Sequence, residues 1–104
     1  MNEELFAVTH YCTVHQIDPS FIDALETEGI ITVILSNNEK FIDGQQLPDL
    51  EIYTRWHHDL GINIEGIDAI RNLLEKHKDV QLEINELKWK LSQYELYLSD
   101  QNIS

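Results

Sequence analysis

The residues best suited to metal binding or catalysis in this sequence are its histidines and one cysteine. His10, Cys12 and His15 lie close together, and His57 and His58 are adjacent. On a helix, adjacent side chains point about 100° apart, so His57 and His58 cannot easily hold one ion. No histidine pair carries a glutamate in the H-E-x-x-H arrangement of zinc hydrolases. The four glycines form neither a phosphate-binding loop nor a nucleophile elbow. The sequence therefore predicts a protein that is not an enzyme and that uses no metal and no cofactor.

The charge of the chain is strongly negative. It has 19 acidic and seven basic side chains, a formal net charge of −12. Residues 1–47 hold eight acidic side chains against a single base, Lys40. Such a surface repels the phosphates of nucleic acids and of anionic lipids, and it favours basic protein partners. The alternative is that the acidity only keeps a small protein in solution.

Length and composition set the class of protein. A chain of 104 residues with 42% hydrophobic residues suits one folded domain with an extension. It has no apolar run of about 18 residues, so no membrane span is predicted. The N-terminal sequence MNEELF lacks the basic flank and the apolar segment of a signal peptide. A single cysteine excludes an internal disulfide and fits a reducing compartment, so we expect a cytoplasmic protein.

Residues 8–31 predict two short helices around a tight turn. Thr9 is the expected cap of the first helix, and Asp18 followed by Pro19 is a strong start for the second. Gly29 is the expected end of the second helix. The apolar residues that we expect to face the core are Tyr11, Cys12, Val14, Ile17, Ile22 and Leu25.

A small hairpin, or wing, is predicted to follow the helices. Residues 30–35 are apolar and β-branched, which is typical of a strand. Residues 36–39 form the expected turn, and residues 40–42 form the return strand. A two-stranded hairpin is marginal alone and must pack on another element.

Two further helices are predicted after the wing. Residues 47–60 have helical apolar spacing, with Gly61 at the end, and Asn63 is the expected cap of a fourth helix. The C-terminal third carries a heptad seam formed by Ile70, Leu73, His77, Val80, Ile84, Leu87, Leu91, Tyr94 and Leu98. Residues 76–79 are either a break between two helices or a polar turn within one. We divide the chain into a winged domain, residues 1–75, and a coiled-coil helix, residues 76–104.

The seam predicts a homodimer, because it is too long for so small a core to cover. The residues expected to pair are Val80, Ile84, Leu87, Leu91, Tyr94 and Leu98. Packing of the helix back onto its own domain is the alternative. Parallel and antiparallel pairing both remain open.

The order of these elements resembles that of MerR-type winged-helix proteins. The matching motifs are VT at residues 8–9, QID at residues 16–18, EGII at residues 28–31 and DLGINIEGI at residues 59–67. This resemblance implies a mainly α-helical, winged helix-turn-helix fold with a small β-hairpin and a C-terminal coiled-coil helix.

Two segments resemble the chaperone modulatory protein family (CbpM-like) within that superfamily. They are DPSFIDALETEGII at residues 18–31 and NIEGIDAI at residues 63–70. The resemblance implies binding to the J-domain of a DnaJ-like co-chaperone and restraint of its action on Hsp70. The residues of the second helix that we expect to contact this partner are Ser20, Phe21, Asp23, Ala24, Thr27 and Glu28. If Ile22 and Leu25 face the core, Phe21 turns partly outward and is expected to be an aromatic anchor within an acidic rim. The alternative is that Phe21 packs against the wing and that the acidic side chains form a solvated face.

A dimeric, DNA-binding transcription regulator is the second interpretation that the layout allows. DNA-binding members of the superfamily resemble each other in a basic second helix and a basic wing. Here the second helix carries Asp23, Glu26 and Glu28, and the wing carries only Lys40. The chain also lacks the C-terminal cysteine cluster of metal-sensing members. We therefore expect neither DNA binding nor metal sensing.

Overall fold

A computed structural model describes residues 4–101 of the chain. The elements in chain order are β1 (Leu5–Ala7), α1 (Val8–His15), α2 (Pro19–Thr27), β2 (Ile34–Ser36), β3 (Glu39–Asp43), a 3₁₀ turn (Gly44–Gln46), α3 (Leu47–Leu60) and α4 (Ile64–Gln101). The chain forms two compact units that divide between Ala69 and Ile70, within α4. The predicted fold class, a winged helix-turn-helix with a small sheet and a long C-terminal helix, is confirmed. The boundary between functional domains at residues 75 and 76 stays a prediction.

The turn between α1 and α2 follows the predicted pattern. Gln16 adopts a left-handed conformation with φ 55°, which reverses the chain. Asp18 then caps α2, because its Oδ1 accepts a hydrogen bond from the backbone N–H of Ser20 at 2.9 Å. Pro19 occupies the first helical position, where no backbone donor is needed. Gly29, with φ 73°, turns the chain away just after α2.

The start of α1 differs from the prediction. The helix begins at Val8, with Ala7 as its N-cap, and no side chain caps it. Thr9 therefore lies inside the helix, and its predicted capping role is wrong. The physical reason is that Ala7 is held in β1, opposite Phe41, so the strand passes directly into the helix. Val14 was also predicted to face the core and is instead 61% exposed.

The wing, formed by β2 and β3, belongs to a three-stranded antiparallel sheet with the order β1-β3-β2. The predicted hairpin is present as β2 and β3, and Asn37 and Asn38 form its turn with φ values of 53° and 64°. The third strand, β1, was expected only as an extended entry to the first helix. It places Phe6 opposite the fully buried Ile42. Pairing with β1 supplies the support that a hairpin alone lacks.

The predicted strand at residues 30–35 is shorter in the structure. Only residues 34 and 35 of that run belong to β2, and Ile31 is a buried core residue. The backbone N–H groups of Ile30 and Ile31 both donate to the Leu25 carbonyl, which ties this stretch to the end of α2. The side chain of Gln46 then bonds the backbone N–H and C=O of Thr32, each at 2.8 Å. These tertiary contacts replace a strand ladder.

The core lies in the first unit and receives residues from all of its helices and from β3. Ile22 and Leu25 of α2 are fully buried, as predicted. The other core residues are Val8, Tyr11, Cys12, Phe21, Ile31, Ile42, Leu50, Tyr53 and Ile67. The Tyr11 hydroxyl contacts Thr54 Oγ1 at 2.8 Å, so the one buried polar side chain of the described core is hydrogen-bonded.

The junction of α3 and α4 follows the predicted end and start signals. Gly61 ends α3 with φ 67°, and Asn63 Oδ1 accepts a hydrogen bond from the Gly66 N–H at 2.8 Å. A Cβ on Gly66 would lie only 2.7 Å from Ile62 Cγ2, so any larger residue at this position would force the Ile62 side chain to shift. Residues 76–79 do not interrupt α4, which settles the open question of one helix or two. None of the helices in the described part of the chain is long and apolar enough to cross a membrane.

Candidate partner-binding groove

Helix α2 presents two different exposed faces. Its buried face carries Ile22 and Leu25. Asp23 and Glu26 lie on the side next to the wing. Five of the six predicted partner-binding residues, Ser20, Phe21, Ala24, Thr27 and Glu28, lie on the opposite side, where residues four and seven apart share a helix face.

An exposed ion-pair network joins the wing to the adjacent side of α2. Lys40 Nζ of β3 lies 3.1 Å from Asp23 Oδ1 and 3.4 Å from Glu26 Oε1. The hydrogen bond and the negative charge of Asp23 raise the pKa of Lys40 above its usual value. The single basic side chain of the wing therefore already has carboxylate partners within its own chain.

The other side of α2 borders a groove that we call the α2 groove. It consists of two adjoining cavities of about 370 and 450 Å³, which share Ala24, His57 and Ile64. The first cavity is also lined by Gln16, Ile17, Asp18, Ser20, Phe21 and His58. The second is also lined by Thr27, Glu28, Asn63 and Glu65. The groove therefore runs along the whole of α2, between that helix and the α3–α4 junction.

Phe21 is buried, which corrects the prediction that its ring turns outward. The side chain is only 6% exposed. Its ring stacks on that of His57, with centroids 4.5 Å apart and planes inclined by 19°. His57 is held in place because its Nδ1 lies 2.9 Å from the Ile62 carbonyl oxygen. Phe21 forms part of the groove wall, and an aromatic anchor that projects into a partner is not present at this position.

The charged side chains that line the groove are acidic. Asp18 lies near the start of α2, Glu28 follows its end, and Glu65 belongs to the first turn of α4. All three residues are exposed. The hydrogen bond from the Ser20 N–H lowers the pKa of Asp18, so its carboxylate stays ionised at neutral pH. The lining includes no lysine and no arginine.

Sequence reasoning missed the far wall of the groove. His57, Asn63, Ile64 and Glu65 were assigned to the end of one helix and the start of another. None was expected to face α2. The motif INIEG at residues 62–66 could have indicated the tight corner, since it combines a cap residue with a glycine. These residues lie about 40 positions after α2, and local sequence patterns do not predict contacts over that separation.

The cysteine and the histidines considered for chemistry are divided between the buried core, the α2 groove and a separate small cavity. Within the described part of the chain, no group of three or more histidine, cysteine or acidic side chains is placed to hold a metal ion. Cys12 is buried, and burial raises the pKa of its thiol. His10 and His15 line a separate small cavity of about 130 Å³ with Phe6 and Glu51 among its other residues. The ring of His15 stacks on that of Tyr11.

The predicted pairing residues of α4 are exposed in the single chain. The exposed fractions of Val80, Ile84, Leu87, Leu91, Tyr94 and Leu98 range from 38% to 58%. Leu82, Trp89 and Leu96 lie off the seam and are at least 59% exposed. The second unit is thus a helix with unburied apolar side chains on more than one face.

Comparison with known proteins identifies the family. The model of the MerR HTH family of regulatory proteins matches residues 6–89, which include the helix-turn-helix, the wing, α3 and most of α4. No curated protein and no solved structure matches the chain. The match spans well over half of the 104 residues. The chain therefore belongs to the MerR HTH family of regulatory proteins.

Proposed function

We propose that this protein is a chaperone modulator that binds the J-domain of a DnaJ-like co-chaperone and restrains the action of that co-chaperone on Hsp70. The proposal combines the resemblance of residues 18–31 and 63–70 to chaperone modulatory proteins with the charge of the first unit. A J-domain carries a positively charged helix that engages Hsp70. A protein that covers this helix competes with Hsp70 for it.

The observation that carries the proposal is the acidic α2 groove. A DNA-reading helix presents basic and amide side chains to phosphates and base edges. Helix α2 has none of the required lysine or arginine residues, and the nearby Lys40 is paired with Asp23 and Glu26. A surface of this charge attracts a basic protein partner and speeds its association at low ionic strength.

Calorimetric titration of the full chain into an isolated J-domain tests the proposal. We expect micromolar or tighter binding that weakens as salt is added, because the attraction is between charged surfaces. In a second assay, the protein should lower the stimulation of Hsp70 ATP hydrolysis by the intact co-chaperone. A charge-reversed variant, Glu28→Lys with Glu65→Lys, should lose both effects. Glu51→Lys with Asp49→Lys, two exposed changes on α3 outside the groove with the same change of net charge, is the matched control. Failure of the wild-type protein to bind the J-domain would falsify the proposal.

A dimeric transcription regulator is the second function to test, because the family match is to regulatory helix-turn-helix proteins. A DNA-binding dimer must neutralise several phosphates at each half-site. Filter binding to random double-stranded DNA at low salt separates the two functions. Retention of DNA at micromolar protein favours the regulator, and its absence together with J-domain binding favours the modulator.

We also propose that the protein acts as a homodimer joined through α4. The support is the heptad seam, whose apolar side chains are exposed in the single chain. Charge permits this association, since residues 70–104 hold six acidic and five basic side chains. Residues 1–69 hold 13 acidic and two basic side chains. The first units of two copies of the chain therefore repel each other.

A further inference from the structure

The length of the α2 groove limits what it can hold. Asp18 and Glu28 mark its two ends and are ten residues apart along one helix. At about 1.5 Å per residue this separation is about 15 Å. A helix of about three turns covers that length, whereas an extended peptide covers it with only four or five residues.

The walls of the groove favour a helical occupant. The groove is bordered by α2 and by the α3–α4 junction. An extended peptide normally binds by adding a strand to an exposed sheet edge, where backbone donors and acceptors are free. Helical walls use their backbone groups internally and offer no such edge. A helix satisfies its own backbone and needs only apolar and charged side-chain contacts.

The centre of the groove has room for an apolar side chain. Ala24 lies where the two cavities meet and is the smallest residue of the lining. Ile64 faces it across the groove, and Ile17 and Phe21 continue the apolar surface toward the start of α2. Ala24, Ile17 and Ile64 are each partly exposed, so an inserted side chain can bury them further.

We propose that the α2 groove binds one basic amphipathic α-helix of a partner protein, with an apolar side chain seated over Ala24 and cationic side chains at Asp18 and at Glu28 and Glu65. The carboxylates lie at both ends of the groove and no lysine or arginine lies between them, so charge complementarity favours a basic occupant. The identity of the partner in this inference rests on the proposed function. If the protein binds a J-domain, the occupant of the groove is the positively charged helix of that domain.

The decisive variant is Ala24→Leu, which fills the point where the cavities meet. We expect it to weaken binding of the J-domain at least tenfold, because the incoming apolar side chain loses its place. Ala24→Ser keeps the volume and is the matched control, with an expected change of less than threefold. Ala24 is on a partly exposed helix face, so both variants should fold. Thermal unfolding followed by circular dichroism verifies that they do.

A second probe tests binding to the groove independently of binding to the J-domain. It is a synthetic amphipathic helical peptide of leucine and lysine, about four turns long. Its counterpart has every lysine replaced by glutamate. We expect the full-length protein to bind the lysine peptide and not the glutamate peptide. The Ala24→Leu variant should not bind the lysine peptide.

The outcomes distinguish the two proposals. J-domain binding that Ala24→Leu abolishes and Ala24→Ser keeps supports both. Lysine-peptide binding that is sensitive to Ala24→Leu, without any J-domain binding, supports the groove and overturns the modulator function. J-domain binding that is unchanged in Ala24→Leu overturns the groove and leaves the function. Absence of binding to both probes overturns both.

Discussion

Asp18 shows how one side chain fixes the start of the helix on which the proposed function depends. Its carboxylate accepts the Ser20 N–H and so satisfies a backbone donor that the first turn of α2 leaves free. The same hydrogen bond lowers the pKa of Asp18. The residue also lies at one end of the α2 groove, so the proposed recognition of a partner would use the same carboxylate that caps the helix.

We expect Asp18→Ala to lower the melting temperature by several degrees at pH 7, because the cap is lost. The pKa of Asp18 is depressed in the folded state, so its contribution is present above the unfolded pKa of about 4 and is lost as the pH falls through the folded pKa. The difference between variant and wild type should therefore shrink below about pH 4. Asp18→Asn, which can still cap, is the control. Melting curves from pH 7 to pH 2.5 test this, and a constant difference across that range contradicts the linkage.

Tyr11 and Thr54 form a buried hydrogen-bonded chain between α1 and α3. Thr54 Oγ1 donates to the Leu50 carbonyl at 2.8 Å, so the Tyr11 hydroxyl donates to Thr54. We expect Tyr11→Phe to lower the free energy of unfolding by about 1 kcal/mol. Thr54→Val should cost more, about 2 kcal/mol, because it leaves the buried Tyr11 hydroxyl without a partner. Urea unfolding of both variants and of the double variant measures the coupling, and strictly additive losses argue against a shared network.

At the scale of elements, the hairpin shows that turn chemistry is readable while strand length is not. Asn37 and Asn38 both have positive φ, the signature of a type I′ turn between β2 and β3. Asparagine tolerates this conformation and glycine is better suited to it. The strand before the turn is short because Ile31 is drawn into the core and Thr32 is bonded by Gln46.

We expect Asn38→Gly to stabilise the first unit by about 0.5 kcal/mol, because glycine has no steric cost at φ 64°. Asn38→Ala should destabilise it, since a Cβ is unfavourable in the left-handed region. Chemical denaturation of the two variants gives the comparison. A lower stability for Asn38→Gly than for Asn38→Ala would contradict the assigned turn.

The burial of Phe21, which was predicted to be exposed, is also explained at the scale of elements. In a nine-residue helix with Ile22 and Leu25 in the core, the periodicity of the helix alone predicts an exposed side chain at position 21. The ring is instead covered by His57 of α3. The face of α2 that carries Phe21 becomes one wall of the groove only because a second helix lies against it.

At the scale of the whole molecule, the chain divides its charge and its apolar surface between two units. Nearly all of the net negative charge belongs to residues 1–69, while residues 70–104 are close to neutral and carry the exposed seam. This division suits a protein that attracts a basic partner through one unit and pairs with its own copy through the other.

We expect the variant Leu87→Glu with Leu91→Glu to be monomeric at concentrations where the wild type is a dimer, because four carboxylates would be buried in the seam. Leu82→Glu lies off the seam at a similar exposure and should leave the dimer intact. Sedimentation equilibrium of the three proteins measures this. A monomeric wild type, or dissociation of the Leu82 variant alone, contradicts the assigned seam.

His77 is the one polar residue of the seam, so the dimer should depend on pH. In a parallel dimer the two His77 imidazoles face each other, and their protonation places like charges in contact, so we expect the dimer dissociation constant to rise as the pH falls from about 8 to about 5.5. Lys76, Lys78 and Asp79 are its charged neighbours on α4. His77→Asn should remove the dependence. A dissociation constant that does not change over this range counts against pairing at His77.

The sequence by itself determined the local signals of this fold. The Asp18-Pro19 start, the Gly29 and Gly61 ends, the Asn63 cap and the long periodicity of α4 act within a few residues, through backbone conformation and short hydrogen bonds. Each of these appears in the structure as predicted. The acidic charge and the family resemblance were likewise properties of composition and motif.

Only the tertiary structure decided which surfaces are available. The α2 groove arises because residues 57–65 pack beside residues 17–28, a contact between segments separated by tens of residues. The third strand, the burial of Phe21 and the pairing of Lys40 with Asp23 have the same origin. Local propensity and periodicity report which face of an element is apolar, but the element that covers that face depends on packing across the whole domain.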